Sequence, residues 1–370
     1  MNDALYLDYN ASAPMRPEVL DVVTNILAAP HNASSVHSYG REGRRIIEQA
    51  RSDIAAIINV PPAQLIFNSG ATEANNTVLH HFAGEKIAVC AASHLSILDA
   101  AEHLVHIPVD ENGLTDLTAL EDILKTEAPA LVSIMLVNNE TGAIQPVTNI
   151  SALAKRHGAL VHCDAVQAIG RIPVDINALG VDFISLSAHK IGGPQGVGAL
   201  ALGLCGITPT MLRGGGQEKS ARAGTENVAG IAGFGEAAKR ADMDQYQSLQ
   251  KMRDDLETQL SAISPEIIIH AKNAPRVAGT SMFSLPGISS ETLLMALDLE
   301  GIALSNGSAC SSGTVKASHV LLAMGASEDV ASSALRLSMG WNTTPSDIEH
   351  FIESWSKIYE RLKDRIKTHA

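Results

Sequence analysis

Cysteine is sparse and scattered: Cys90, Cys163, Cys205 and Cys310 are the only four in 370 residues, and no two form a CxxC pair. That spacing supports neither a zinc ribbon nor a cysteine-ligated cluster, and free thiols are the default reading. Residues 1–14 lack a basic stretch followed by an apolar one, so no signal peptide is read and a cytoplasmic location is expected. Long apolar runs are missing too. The longest, residues 197–207, is broken by three glycines and falls far short of a membrane helix. Positive charge is in deficit, with 27 Lys and Arg against 40 Asp and Glu, a net −13, and no run of five like charges. Neither a nucleic-acid nor a membrane partner is therefore expected, since phosphate binding needs clustered Lys and Arg. Aromatic residues make up only 4%, so the core must rest on Ala, Val, Ile and Leu, which suits strands covered by helices.

What is present fits a large globular chain. At 45% hydrophobic and 18% charged residues it can bury a sizeable core, and its length suits one large and one smaller domain. Ile46, Ile47, Ala50, Ile54, Ile57 and Ile58 recur at helical spacing, so residues 41–60 read as an amphipathic helix stopped by Pro61 and Pro62. Strands are expected at 65–67, 86–91, 103–109, 131–137, 160–163 and 181–186, with helices from Gly70, at 115–125 and at 148–157. Alternation of this kind indicates an α/β fold with a mostly parallel sheet covered on both faces. After about Glu226 a helical region runs to 263, followed by a strand at 280–285, a helix at 290–299, a Gly/Ser-rich loop around Cys310, a strand at 334–339 and a helix from Pro345. This less regular stretch reads as a second, α+β domain beginning near residue 250.

Four segments carry chemistry-bearing side chains. Asn-Ser-Gly-Ala-Thr-Glu-Ala-Asn-Asn at 68–76 sets Gly70 between a strand end and a helix start. Free amides and the helix dipole make a phosphate seat there, although a plain turn capped by Ser69 or Thr72 reads as well. It is no Walker A loop, because the Gly-Lys-Ser/Thr ending is absent. His-Cys-Asp-Ala-Val-Gln at 162–167 places Asp164 at a strand end, where it could pair with a protonated pyridine nitrogen, with Gln167 donating to a ring oxygen; a helix cap is the other reading of Asp164. Ser-Ala-His-Lys at 187–190 ends a buried strand with a lysine, and bonding that amine to an aldehyde cofactor as a Schiff base relieves the cost of an unpaired buried ammonium; a surface lysine in a glycine-rich turn is the other reading. Ser187 and His189 could hold the cofactor's phosphate beside it. Cys310 lies among small polar residues, a setting for an exposed, mobile thiol, although a lone loop cysteine reads equally as incidental. The His80–His81 and His103/His106 pairs alternate faces, so no metal site is expected.

Together these segments resemble the class V aminotransferase family, and within it the NifS/IscS-type cysteine desulfurases. The resemblance runs in order through residues 6–14, 32–37, 68–76, 137–142, Asp164 with Gln167, 187–190, 222–225, the Cys310 loop and 335–338. It implies pyridoxal 5'-phosphate as cofactor and fold type I, a mostly parallel seven-stranded sheet between helices plus a smaller α+β domain. The large domain would span 15–250, with 1–14 and 251–370 forming the small one that carries the cysteine loop. Lys190 would hold the cofactor. Ala71, Thr72, Ser187 and His189 would hold its phosphate, with Thr225 reaching in from the partner subunit of a homodimer. Asp164 would pair with the pyridine nitrogen, Gln167 and Asn139 would contact the ring oxygen, and His94 would stack on the ring and move protons. Arg336 and Asn139 would bind the substrate, Arg336 as a bidentate donor to its carboxylate.

The implied reaction takes sulfur from L-cysteine onto Cys310 as a persulfide, releases L-alanine, and passes the sulfur to an acceptor protein for iron–sulfur cluster assembly or a related pathway. Departures from the family pattern are Ser93 for the usual Glu before the stacking histidine and Ala188 for a Gly. With Ala370 as its last residue, the sequence is not expected to carry the C-terminal extension that IscS-type enzymes use on their scaffold partner, which leaves the identity of the acceptor open. The rival activity is that of a selenocysteine lyase or another class V lyase or aminotransferase, for which a loop thiol would be unnecessary.

Overall fold

Apolar runs bounded by turns make the strands, and the structure, a computed structural model, describes residues 4–306 and 317–366. A short β1 (Leu5–Tyr6) is followed by the strands of the main sheet: β2 (Leu65–Asn68), β3 (Ile87–Cys90), β4 (Val105–Ile107), β5 (Leu131–Met135), β6 (Leu160–Asp164), β7 (Phe183–Ser187) and β8 (Gly198–Leu202). The sheet has the order β2-β8-β7-β6-β5-β3-β4. Pairing is parallel from β7 to β4, and β8 alone runs against both of its neighbours. β2, β3, β5, β7 and β8 are buried at every position, as strands covered on both faces must be. The expected seven-stranded, mostly parallel α/β sheet is the one found.

Two details differ from the pattern-based reading. β8 was not among the strands expected from residue pattern; its Gly-Ala-Leu-Ala-Leu sequence has no β-branched residue, and hydrogen bonds to two neighbours make it a strand. The fourth strand is shorter than 103–109, because His103 takes a left-handed φ of 58° and pairing starts at Val105.

The helical region after residue 226 is two helices, Val228–Lys239 and Met243–Ile263, separated where Asp242 caps the second by accepting from Gln245 N. The first is buried along almost its whole length between the helices Pro17–Leu27 and Ser38–Ile57. Its glycines permit the approach: a Cβ on Gly235 would lie 2.8 Å from Ala50 Cα. The second packs on the terminal helix Pro345–Ile366 and runs unbroken through residue 250.

The remaining strands form two small sheets. β9 (Ile268–Ile269), β10 (Thr280–Ser284) and β12 (Ala334–Ser338) are antiparallel in the order β12-β10-β9, and β11 (Ile302–Ala303) pairs in parallel with β1. Three of the scarce aromatics gather behind them, with Phe283 5.5 Å from Trp355 and 6.5 Å from Phe351 between ring centroids. Among the described residues no helix is long and apolar enough to cross a membrane.

Candidate active site

Parallel strands leave their carboxyl ends at one rim of a sheet, the usual place for a ligand. Met135, Asp164 and Ser187, the last residues of β5, β6 and β7, line a cavity of about 690 Å³ there. A tight turn over Ala188–Lys190 then carries Lys190 into the same cavity. Ala71, Thr72, His94, Asn139, Gln167, His189 and Arg336 line it as well.

Lys190 Nζ donates to the carbonyls of Asn10 at 2.6 Å and Ala11 at 2.8 Å. Burial lowers its pKa to about 7; Arg336 and Arg171 push the same way, against Asp8 and Asp164. Near neutrality a large share of this amine is therefore the free base, the nucleophilic form. Burial, then Lys190, brings His189 down to about 4, so that ring is neutral; its Nδ1 lies 3.3 Å from Ser12 Oγ. His94 is also lowered, first by burial, with Asp164 opposing and Lys190 and His319 adding to the fall. Its Nδ1 accepts from Ser96 N at 3.1 Å, which leaves the proton of the neutral ring on Nε2.

The opposite wall is the start of the helix Ala71–His81. Gly70 sits at φ 150°, a conformation that L side chains avoid, and a Cβ there would meet nothing within 4 Å. The turn is tied down from both sides: Asn68 Oδ1 accepts from Gly70 N at 3.0 Å, and Glu73 Oε2 accepts from Ser69 N at 2.9 Å. Glu73 is gripped in turn by Arg222, at 2.9 and 3.2 Å. Behind it the buried pair Arg51–Glu218, at 2.7 Å, also receives Phe67 N on Glu218. Thr225 is exposed and does not line the cavity of its own chain.

Asp164 is oriented by two donors, Asn75 Nδ2 at 2.9 Å and Val166 N at 3.0 Å. Gln167 Nε2 donates to Asn10 O at 2.9 Å, and its Oε1 is buried with no partner among the described residues. The amide keeps a second N–H as well as this acceptor. Arg336 Nη1 donates to Asn139 O at 3.0 Å and Nη2 to Asp8 at 2.6 Å, and its Nε is buried with no partner among the described residues. Orphaned buried atoms on Gln167, Asn75 and Arg336, an open glycine turn at a helix N-terminus, an oriented carboxylate and a depressed lysine together fit a phosphate-bearing aromatic aldehyde.

Cys310 lies outside the described residues. Upstream of it Ser305 lines the cavity and exchanges backbone hydrogen bonds with Arg336, at 2.7 and 3.4 Å. Downstream, Ser318 donates to the buried Glu140, and His319 Nε2 lies 2.9 Å from Ser93 O. The other thiols are removed from the chemistry: Cys90 is fully buried and raised to about 11, Cys163 is raised for the same reason, and Cys205 is only half-buried but does not line the cavity.

Asn10 is the residue most conspicuously missed from sequence. Its carbonyl receives Lys190 and Gln167, its Oδ1 receives Arg171 at 2.6 Å, and its Nδ2 reaches Asn139 O and Thr280 Oγ1, both at 3.1 Å. The signal available was a polar Asn within the 6–14 stretch that carries the resemblance.

The family model for aminotransferase class-V matches residues 5–351. The chain is 39% identical over 375 residues to a cysteine desulfurase of Enterobacter agglomerans, covering 97% of this chain and 93% of that one. To cysteine desulfurase IscS of Dictyoglomus turgidum it is 37% identical over 380 residues, covering 98% and 96%. Among solved structures, a NifS-like protein from Rickettsia africae matches with a TM-score of 0.90 at 37% identity, over 96% of this chain and 99% of that one.

Proposed function

The chain belongs to the aminotransferase class-V family, among the IscS- and NifS-like cysteine desulfurases, and we propose that it is itself a pyridoxal-phosphate-dependent cysteine desulfurase. The observation that carries this reading is a lysine amine lowered to about 7 at the end of β7, in one cavity with Asp164, the Gly70 turn and Arg336.

Lys190 would hold the cofactor. The amides of Ala71 and Thr72, with Ser187 and His189, would receive its phosphate, and Asp164 its protonated ring nitrogen. When bound, the cofactor supplies an electron sink for bonds at the substrate's α-carbon. The chain's own residues do the rest. Arg336 takes the α-carboxylate of L-cysteine through the edge that carries Nε, which has no partner among the described residues. Lys190 Nζ accepts and returns protons, and the carbonyls of Asn10 and Ala11 receive it when it is charged. His94, neutral with its proton on Nε2, offers a second proton carrier at the cavity wall. Cys310 Sγ receives the sulfur: the substrate's C–S bond breaks, an S–S bond forms, and thiol plus cysteine become persulfide plus alanine without an external oxidant. A homodimer, with Thr225 meeting the partner's phosphate seat, and a protein acceptor for the persulfide complete the proposal.

The test is to incubate the purified protein with cysteine and a reductant and to follow alanine and sulfide. Lys190→Ala is expected to lose both products along with the visible absorbance of the bound cofactor. Cys310→Ala is expected to keep that absorbance and lose sulfur release. Sulfur release that survives Cys310→Ala would turn the reading toward a lyase that needs no thiol.

A further inference from the structure

Arg336 does not wait for its ligand unpaired. Asp8 Oδ1 sits 2.6 Å from Nη2, and the two side chains are 17% and 5% exposed. Their meeting follows from strand geometry, since Ser338 N donates to Leu7 O and Tyr9 N to Ser338 O, which lays Asp8 alongside β12. The backbone of Asp8 is held firmly: its carbonyl accepts from Ala11 N, Ser12 N and Tyr6 Oη. Rotation of the side chain is the way out of the pair.

We propose that Asp8 is a built-in stand-in for a ligand's carboxylate, occupying one donor of the Arg336 fork until an α-carboxylate arrives and so setting the affinity for carboxylate ligands. The inference rests on the reading above that Arg336 receives the substrate's carboxylate. A guanidinium grips a carboxylate best through two parallel donors on one edge. On the Nε–Nη2 edge, Nε has no partner among the described residues and Nη2 is engaged by Asp8; the remaining nitrogen, Nη1, is spoken for by the Asn139 carbonyl. A carboxylate docking on that edge therefore shares Nη2 with Asp8, and two like charges so close repel. Asp8 also offsets the charge of Arg336 and weakens its pull on an approaching anion. In exchange, the buried guanidinium is never left uncompensated in the ligand-free protein, a costly state.

The test uses the cofactor-loaded protein and propionate, which has a carboxylate but neither amine nor thiol, titrated by calorimetry. Asp8→Asn and Asp8→Ser are each expected to bind propionate about tenfold more tightly than the unaltered protein, the scale of removing one nearby like charge. Propionamide affinity should not move, and KM for cysteine should fall. Propionate affinity that is unchanged or weaker in both Asp8 variants overturns the proposal. Arg336→Gln separates the two readings: it should lose propionate binding, and if it does not, the assignment of Arg336 to the carboxylate fails, whatever Asp8 does.

Discussion

The Lys190 amine illustrates how one residue's surroundings set its chemistry. An ordinary lysine is charged up to about pH 10.4, whereas burial brings this one to about 7, with two guanidiniums adding to the effect. Uptake of pyridoxal phosphate by the cofactor-free protein should therefore speed up as pH rises through about 7 and then level off, as followed by visible absorbance. A rate still climbing at the pH of an ordinary lysine would contradict this. Stability carries the same sign. Across the window from about 7 to 10.5 the unfolded chain holds a proton that the folded chain has lost, so stability of the cofactor-free protein rises with pH, and Lys190→Met should flatten that rise in denaturant titrations at several pH values. Lysine, aspartate and the glycine turn could be picked out in the sequence because each stands at a strand end. Asp8, Asn10 and Arg171 could not, because their bonds span 328, 157 and 161 positions and leave no spacing to read.

Among the elements, the segment before Arg222 shows how a loop is held in an unfavourable shape. Glu218, Lys219 and Ser220 follow one another at φ 46°, 57° and 67°, a run that non-glycine residues adopt only under constraint. The constraint is the Glu218 carboxylate, buried against Arg51 and Phe67 N. Glu218→Gln takes away the buried anion of Arg51 and leaves it only the exposed Glu48 carboxylate, at 3.2 Å; about 3 kcal/mol should be lost, the low end of what breaking a buried pair costs. Thermal unfolding with and without cofactor would measure it; a shift under a degree would show that the loop keeps its shape unaided. Most strands and helices could be located from periodicity, because burial on both faces selects continuous Val, Ile and Leu. β8 was lost because its alanines and leucines suit a helix as well as a strand, and only the gap between β2 and β7 decides the matter. The start of the helix Ser38–Ile57 was placed three residues late because its cap is His37, whose ring accepts from Gly40 N, and histidine is no customary capping signal.

At the scale of the whole molecule, the exposed position of Thr225, outside the cavity of its own chain, bears on the proposed second subunit. Sedimentation should show a dimer, and Thr225→Ala should release cofactor faster on dialysis without altering the unfolding of the protein; a monomer that retains cofactor equally well with either residue would argue against the shared site. The small sheets and the main one meet at Asn10, which bonds to Thr280 and Ser338 on one side and to Asn139, Gln167, Arg171 and Lys190 on the other. This meeting has a consequence for how the protein is born. A nascent chain that has left the ribosome only as far as residue 250 already owns its lysine but not Thr280 or Ser338, two of the posts to which Asn10 is fastened. The full set of bonds that fastens Asn10, and with it the seat of the amine, closes only once the last strand has been made.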